Sequence, residues 1–271
     1  MLFSLCILIT CSARAQFYYK DFISSNFAAF DQLSYKKAGI RNIKLNSFEA
    51  NGLPSEDFFC EKKISRDFKK STLYTRIGLT GQQMLENYFD NKGRLAKTYD
   101  SSQFAVATTL FSYDAQGRLT NTTNFSKSND DDFVSEILET HLYHYDAAGT
   151  LTDMIRIKNQ SDSSIISFSS DDNHHVAVEK DTRTNAVYYY YYDAEGRMTD
   201  VTHFNEEKNK MVADYVYEYN PDGQMAQLTT TEAGIDNFVV WKYKYENGLR
   251  RSERLFDKDG FLVGKIEYEY K

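Results

Sequence analysis

Aromatic and polar residues alternate along much of this chain. Tyr215-Val216-Tyr217-Glu218-Tyr219 and Trp241-Lys242-Tyr243-Lys244-Tyr245 place a ring at every second position. A period of two puts the rings on one face of a strand and the mixed residues on the other. Runs of this kind, roughly eight to ten residues long, recur from Ile40 onward and predict strands throughout. Residues 17–38 break the pattern. There Phe22, Ile23, Phe27, Phe30 and Leu33 recur near helical spacing, and Gly39 follows Lys36-Lys37-Ala38. A glycine just past cations in a last turn is a helix-stop signal. The spacing predicts a short amphipathic helix covering one end or face of a sheet.

The strands are punctuated by one recurring unit: aromatic, Asp, two free residues, Gly, any residue, aliphatic. Its copies begin at Phe89, Tyr113, Tyr145, Tyr192, Tyr219 and Phe256, with a shortened copy at Tyr245-Glu246-Asn247-Gly248-Leu249. Asp opens a type I turn by accepting from backbone two residues on. Gly supplies the left-handed residue that closes a bulged hairpin. The predicted turn residues are therefore Asp90, Gly93, Asp114, Gly117, Asp146, Gly149, Asp193, Gly196, Gly223, Gly248 and Gly260. The long gap between Gly149 and Gly196 divides in two if Asp171-Asp172-Asn173 is a degenerate copy. Asn51-Gly52 reads as an earlier hairpin turn, and Gly78 and Gly81 mark another.

Looser turns are expected at the opposite strand ends, at residues 127–132, 159–163, 180–185, 205–210 and 232–237. Strands joined alternately at top and bottom make an antiparallel meander. The expected fold is all-β: an antiparallel meander of repeated hairpins in a curved or partly closed sheet, with a short N-terminal helix. With the degenerate copy counted, most gaps between the repeated turns are about 24 to 27 residues, a period that marks a repeat array.

The Tyr-Asp-x-x-Gly-Arg-Leu units resemble the YD repeats of RHS-type proteins over roughly residues 74–271. The resemblance implies a β-strip that winds into a shell; in that family, long arrays enclose a toxic cargo domain. Seven copies are few for a large cocoon, and no cargo domain is expected after them. Residues 245–264 also resemble, more weakly, the short Tyr-x-x-Gly units of MORN-like antitoxin repeats.

Composition sharpens this picture. Aromatics make up 15% of 271 residues against two prolines, which favours strands over disorder. The net charge of −7 argues against nucleic acid or an anionic membrane as partner. No apolar run reaches the ~20 residues of a spanning helix.

Residues 1–15 read as a secretory signal, with an apolar stretch from Leu2 to Ile9 and a small-x-small site at Ala13-Arg14-Ala15. Its removal takes one arginine and no acid, leaving a net charge of −8. The rival reading is a lipoprotein modified at Cys11, against which Thr10 fits poorly. The expected organisation is a signal peptide (1–15), a helical capping segment (16–39) and a hairpin-repeat domain (40–271), in a secreted, periplasmic or envelope protein. Cys60 would then be the one remaining cysteine, read as a small buried apolar residue.

Candidate chemistry is sparse. The acidic turns lack the ligand spacing of a calcium loop. His174-His175 and His141/His144 are pairs whose members face opposite ways on a strand, so no metal site is predicted. No nucleophile, P-loop or dinucleotide motif appears, so neither an enzyme nor a cofactor is expected. The ladder of rings can serve as cross-strand packing or as a flat binding face. For binding, Tyr190, Tyr192, Tyr217, Tyr219, Trp241 and Tyr243 are the candidates. The expected function is a non-catalytic binding module for a glycan or protein; the alternatives are a structural shell component of a toxin-related system and an antitoxin-like repeat protein.

Overall fold

The structure is a computed structural model that describes residues 17–78, 81–129, 135–206, 209–231 and 237–271. The expected leader lies outside these residues, as do parts of the loops expected at 127–132, 205–210 and 232–237. Among the described residues one helix, α1 (Lys20–Ala38), precedes eighteen strands. The first nine are β1 (Asn42–Glu49), β2 (Phe59–Ile64), β3 (Lys70–Ile77), β4 (Gly81–Phe89), β5 (Leu95–Ser102), β6 (Ala105–Tyr113), β7 (Leu119–Ser128), β8 (Glu136–Tyr145) and β9 (Leu151–Lys158). The rest are β10 (Asp162–Ser170), β11 (Val176–Asp181), β12 (Val187–Tyr192), β13 (Met198–Asn205), β14 (Lys210–Tyr219), β15 (Met225–Thr231), β16 (Phe238–Glu246), β17 (Leu249–Phe256) and β18 (Leu262–Tyr270).

Every strand runs antiparallel to the next, and β1 also pairs with β18 from Ile43↔Tyr270 to Glu49↔Gly264. The sheet is therefore an eighteen-stranded closed barrel, more closed than the curved or partly closed sheet expected. Closure removes both edges of the meander, whose unpaired amides and carbonyls would otherwise be open to other chains. At the seam, a Cβ on Gly264 would meet the Phe48 carbonyl oxygen at 3.2 Å, so glycine lets the two backbones approach.

The repeated turn has the chemistry the sequence suggested. In the copy at Asp193, Oδ1 accepts from the Glu195 and Arg197 amides at 3.1 and 2.9 Å, and Oδ2 from Arg197 Nε at 2.7 Å. Gly196 sits at φ +75°. Pairing skips one residue just before this turn, between Tyr191 and Tyr192, the expected bulge.

Two further contacts link several of the units to the next. The arginine guanidinium lies over the next unit's tyrosine: Arg94 over Tyr113 at 4.3 Å, Arg118 over Tyr145 at 4.6 Å and Arg197 over Tyr219 at 4.7 Å. That tyrosine's hydroxyl donates back to the carbonyl of the preceding unit's aliphatic residue, as Tyr113 does to Leu95 at 2.8 Å and Tyr145 to Leu119 at 2.6 Å.

The degenerate copy fits the same frame. Asp171 accepts from the Asn173 and His175 amides. His174 takes the glycine's left-handed place at φ +65°. His175 takes the arginine's place and stacks on Tyr192, with ring centroids 4.6 Å apart.

The helix crosses the lumen. Its start meets β7, β8, β11 and β12; its end meets β1, β2 and β18, on the far side of the ring. Nineteen residues at 1.5 Å each span about 28 Å. Gly39 ends it at φ 71°, and its amide reaches the last-turn carbonyls, as the sequence predicts. The buried stripe matches the expected one only at its start, where Phe22 packs on Tyr143 with ring centroids 4.9 Å apart. Ser25, Gln32 and Tyr35 are buried, whereas Phe27, Phe30 and Leu33 are 42, 59 and 49% exposed. The lumen presents hydroxyls and carboxylates, so the helix turns polar groups and tyrosine toward it. Two buried clusters result: a large one of ladder tyrosines and aliphatics around Tyr18, and a small one of Tyr35, Ile43 and Ile64. Cys60 is buried, 3.7 Å from the Thr75 hydroxyl.

Candidate functional site: the lumenal socket

The aromatic ladder lines the lumen. Tyr190 and Tyr217 are buried in the large cluster, and Tyr192, Tyr219, Trp241 and Tyr243 pack against it, half-buried. The intervening Lys242, Lys244 and Glu246 are exposed. The segment entering α1 lies on these rings: Phe17 sits 5.7 Å from both Tyr188 and Tyr215, and Tyr19 sits 5.2 Å from Tyr190. Such tilted and edge-on ring pairs add about 0.5–1.5 kcal/mol each beyond their buried area.

Two carboxylates fix the helix start, Glu179 buried and Asp21 half-buried. Glu179, on β11, is 2% exposed. Its oxygens accept from the Tyr18 amide at 2.7 Å, the Tyr19 amide at 2.9 Å and the Tyr190 hydroxyl at 2.7 Å. The residue at the helix N-cap, Tyr19, has no side-chain cap of its own, so Glu179 satisfies these amides from across the lumen. Burial pushes its carboxyl up to about 7 against the pull of those donors.

The second is Asp21, in the first helical turn. Its Oδ2 accepts from Thr122 Oγ1 at 2.7 Å and the Tyr143 hydroxyl at 2.8 Å, and lies 2.8 Å from His141 Nδ1. His141 Nε2 lies 2.9 Å from Glu139, and Glu139 also holds Arg156 at 2.6 Å. Burial opposes the charge on each of these groups, but their mutual contacts prevail. His141 rises to about 9, Glu139 falls to about 2, and Asp21 falls below the usual carboxylate range. The set Asp21⁻, His141⁺, Glu139⁻, Arg156⁺ is neutral overall, as a buried ionic network must be to persist. Near neutral pH both His141 nitrogens carry protons already committed to carboxylates. The ring is a clamp and has no lone pair to offer as a base.

Sequence reasoning did not single out Asp21, Glu139, Arg156 or Glu179, and weighed His141 only as half of a metal-ligating pair with His144. A signal was present. Stepping back by two from Tyr145 and Tyr143 gives His141 and Glu139, on the lumenal face. Glu179 pairs directly with Tyr188 across β11 and β12, which puts it on the ladder side. The other histidines stand apart: His144 lies near Asp153 at 2.6 Å and His203 near Asp214 at 2.7 Å. Among the described residues no cluster of three His, Cys, Asp or Glu could hold a metal ion.

One cleft opens beside the socket, where Tyr19 and Phe22 meet the turns at 148–151 and 174–176; its volume is about 360 Å³.

No protein-family model matches the chain, and no curated protein sequence does. Solved structures resemble it at low identity. A porin-like protein from Bacteroides uniformis matches at 9% identity with a TM-score of 0.39, covering 86% of this chain and 98% of that one. A TcdB2-TccC3-Cdc42 structure matches at 10% identity and TM-score 0.28, covering 83% of this chain and 19% of that one. A Photorhabdus luminescens Tc holotoxin pore matches at 11% identity and TM-score 0.29, covering 87% of this chain and 17% of that one. All three scores lie below 0.5, so function is argued from the chain's own residues.

Proposed function

We propose that this protein is an exported, non-catalytic scaffold: a closed barrel of Tyr-Asp hairpins that holds a polypeptide segment in its lumen. The observation that carries this reading is the clamp on the helix start. Two carboxylates, the buried Glu179 and the half-buried Asp21, stand on opposite partners of the contact and are satisfied only when residues 18–21 are in place. A lumen lined by tyrosines suits this task. Rings supply contact area at low entropic cost, and their hydroxyls meet backbone groups. The commitment of His141 to two carboxylates is the reason for assigning no acid–base chemistry. In this reading the ladder grips the chain's own segment, and a glycan or protein partner would meet the outer surface or the cleft.

The test is to cut the chain. A specific protease site inserted after Gly39 leaves α1 attached by non-covalent contacts alone. Co-elution of the cleaved helix with an intact barrel supports the reading. Release of the helix while the barrel keeps its β signal contradicts it.

A further inference from the structure

At five unit boundaries a tyrosine hydroxyl reaches back to the previous unit. Tyr113, Tyr145, Tyr192, Tyr219 and Tyr245 donate to the carbonyls of Leu95, Leu119, Val176, Met198 and Met225 at 2.6–2.9 Å. The boundary between the turns at Gly149 and His174 breaks this rule twice. Thr150 stands where Arg94, Arg118 and Arg197 stand in their units, so no guanidinium covers the next unit. Ser170 stands where the tyrosine belongs, too short to reach the Leu151 carbonyl. Its hydroxyl is buried and has no hydrogen-bond partner among the described residues. Ser170 pairs with Val176 across β10 and β11, and Val176, Leu151 and Thr150 all line the cleft of about 360 Å³. The cleft is thus the place of a missing phenol and a missing guanidinium. Tyr145 and His175 are among its walls.

We infer that this cleft is a binding site for a phenolic ring, taken from a free small phenol or from a tyrosine side chain of a peptide. The repeat itself shows what fits. At five other boundaries a phenol occupies the equivalent position, its hydroxyl on a strand carbonyl and, at four of them, its ring against a guanidinium or imidazole. A ligand phenol in that place would donate to the carbonyl of Leu151, which lines the cleft. The volume falls in the range of small-molecule sites. A site that binds a hydroxyl through buried polar groups rejects the analogue that lacks it.

Titration of the full chain with N-acetyl-tyrosinamide, p-cresol and N-acetyl-phenylalaninamide, read on the His174 and His175 ring resonances, tests this. The phenols are expected to saturate those shifts with a millimolar dissociation constant, and the phenylalanine analogue to bind at least tenfold more weakly. Cresol alone sufficing points to small phenols; a clear preference for the tyrosine amide points to a peptide source. Ser170→Tyr restores the repeat, and Thr150→Arg fills the same slot from the other side. Each should weaken binding at least tenfold in a folded barrel. Unchanged binding in both variants, or no shift of either histidine up to about 50 mM phenol, overturns the assignment.

Discussion

The hairpin turns and the lumenal socket use ion pairs of nearly equal length. Arg197 meets Asp193 at 2.7 Å in a turn, and Arg156 meets Glu139 at 2.6 Å in the socket. The turn pair is about a quarter exposed, while His141 beside Glu139 is only 9% exposed at its side chain. Partly exposed pairs of this kind contribute about 0–1 kcal/mol. A buried network yields little net gain, yet breaking it strands a desolvated charge at about 3–5 kcal/mol. The turns repeat because each is cheap and locally sufficient. The socket occurs once and fixes where the helix lies.

The largest expected effect comes from breaking the socket. Asp21→Ala leaves His141, Tyr143 and Thr122 facing a void, and should lower unfolding free energy by about 3–5 kcal/mol in urea titration. The matching turn variant, Asp193→Ala, should cost clearly less, through lost turn bonds alone. Equal losses would erase the distinction.

Titration sharpens the comparison next. Glu179 titrates near 4.5 when unfolded and near 7 when folded. Its contribution is therefore fully present below about pH 4.5 and is lost as pH rises through 7. His141 goes from 6.5 to about 9, so its contribution is fully present below pH 6.5 and is lost as pH rises through 9. Glu139, lowered to about 2, contributes above pH 4.5 and loses that as pH falls through 2. Stability should peak near pH 4.5 and decline by roughly 3 kcal/mol or more toward pH 9. Glu179→Gln should flatten the decline between pH 4.5 and 7 and leave the part governed by His141.

Smaller effects belong to the repeat. Arg197→Ala removes a turn ion pair and the cation over Tyr219, and should cost about 1 kcal/mol. His174→Gly relieves a left-handed backbone at φ +65° and should stabilise by about 1 kcal/mol.

The same contrast governs what could be read from the chain. The turns were legible because their chemistry spans five residues: Asp, two free positions, Gly and its successor. Even the altered copy at Asp171 kept the acid that opens the turn. Closure was not legible, since it rests on Ile43 finding Tyr270 across nearly the whole chain. The helix was legible as a helix from its period and from Gly39. Its orientation was not, because a lumen of tyrosines and carboxylates inverts the usual rule that apolar side chains face inward. Glu179 and Asp21 looked like ordinary surface acids for the same reason. The six ring residues proposed for binding were rightly placed on one face, but nothing local says that the face curves inward around a helix.

The central claim is that buried carboxylates hold α1 in the lumen. Native-state hydrogen exchange followed by mass spectrometry, on the wild type and Glu179→Ala at pH 7, tests it most directly. The account predicts that residues 20–38 exchange slowly in the wild type, and that the variant loses protection there first while the strand walls keep theirs. Helix amides that exchange as fast as the exposed turns in the wild type would contradict it.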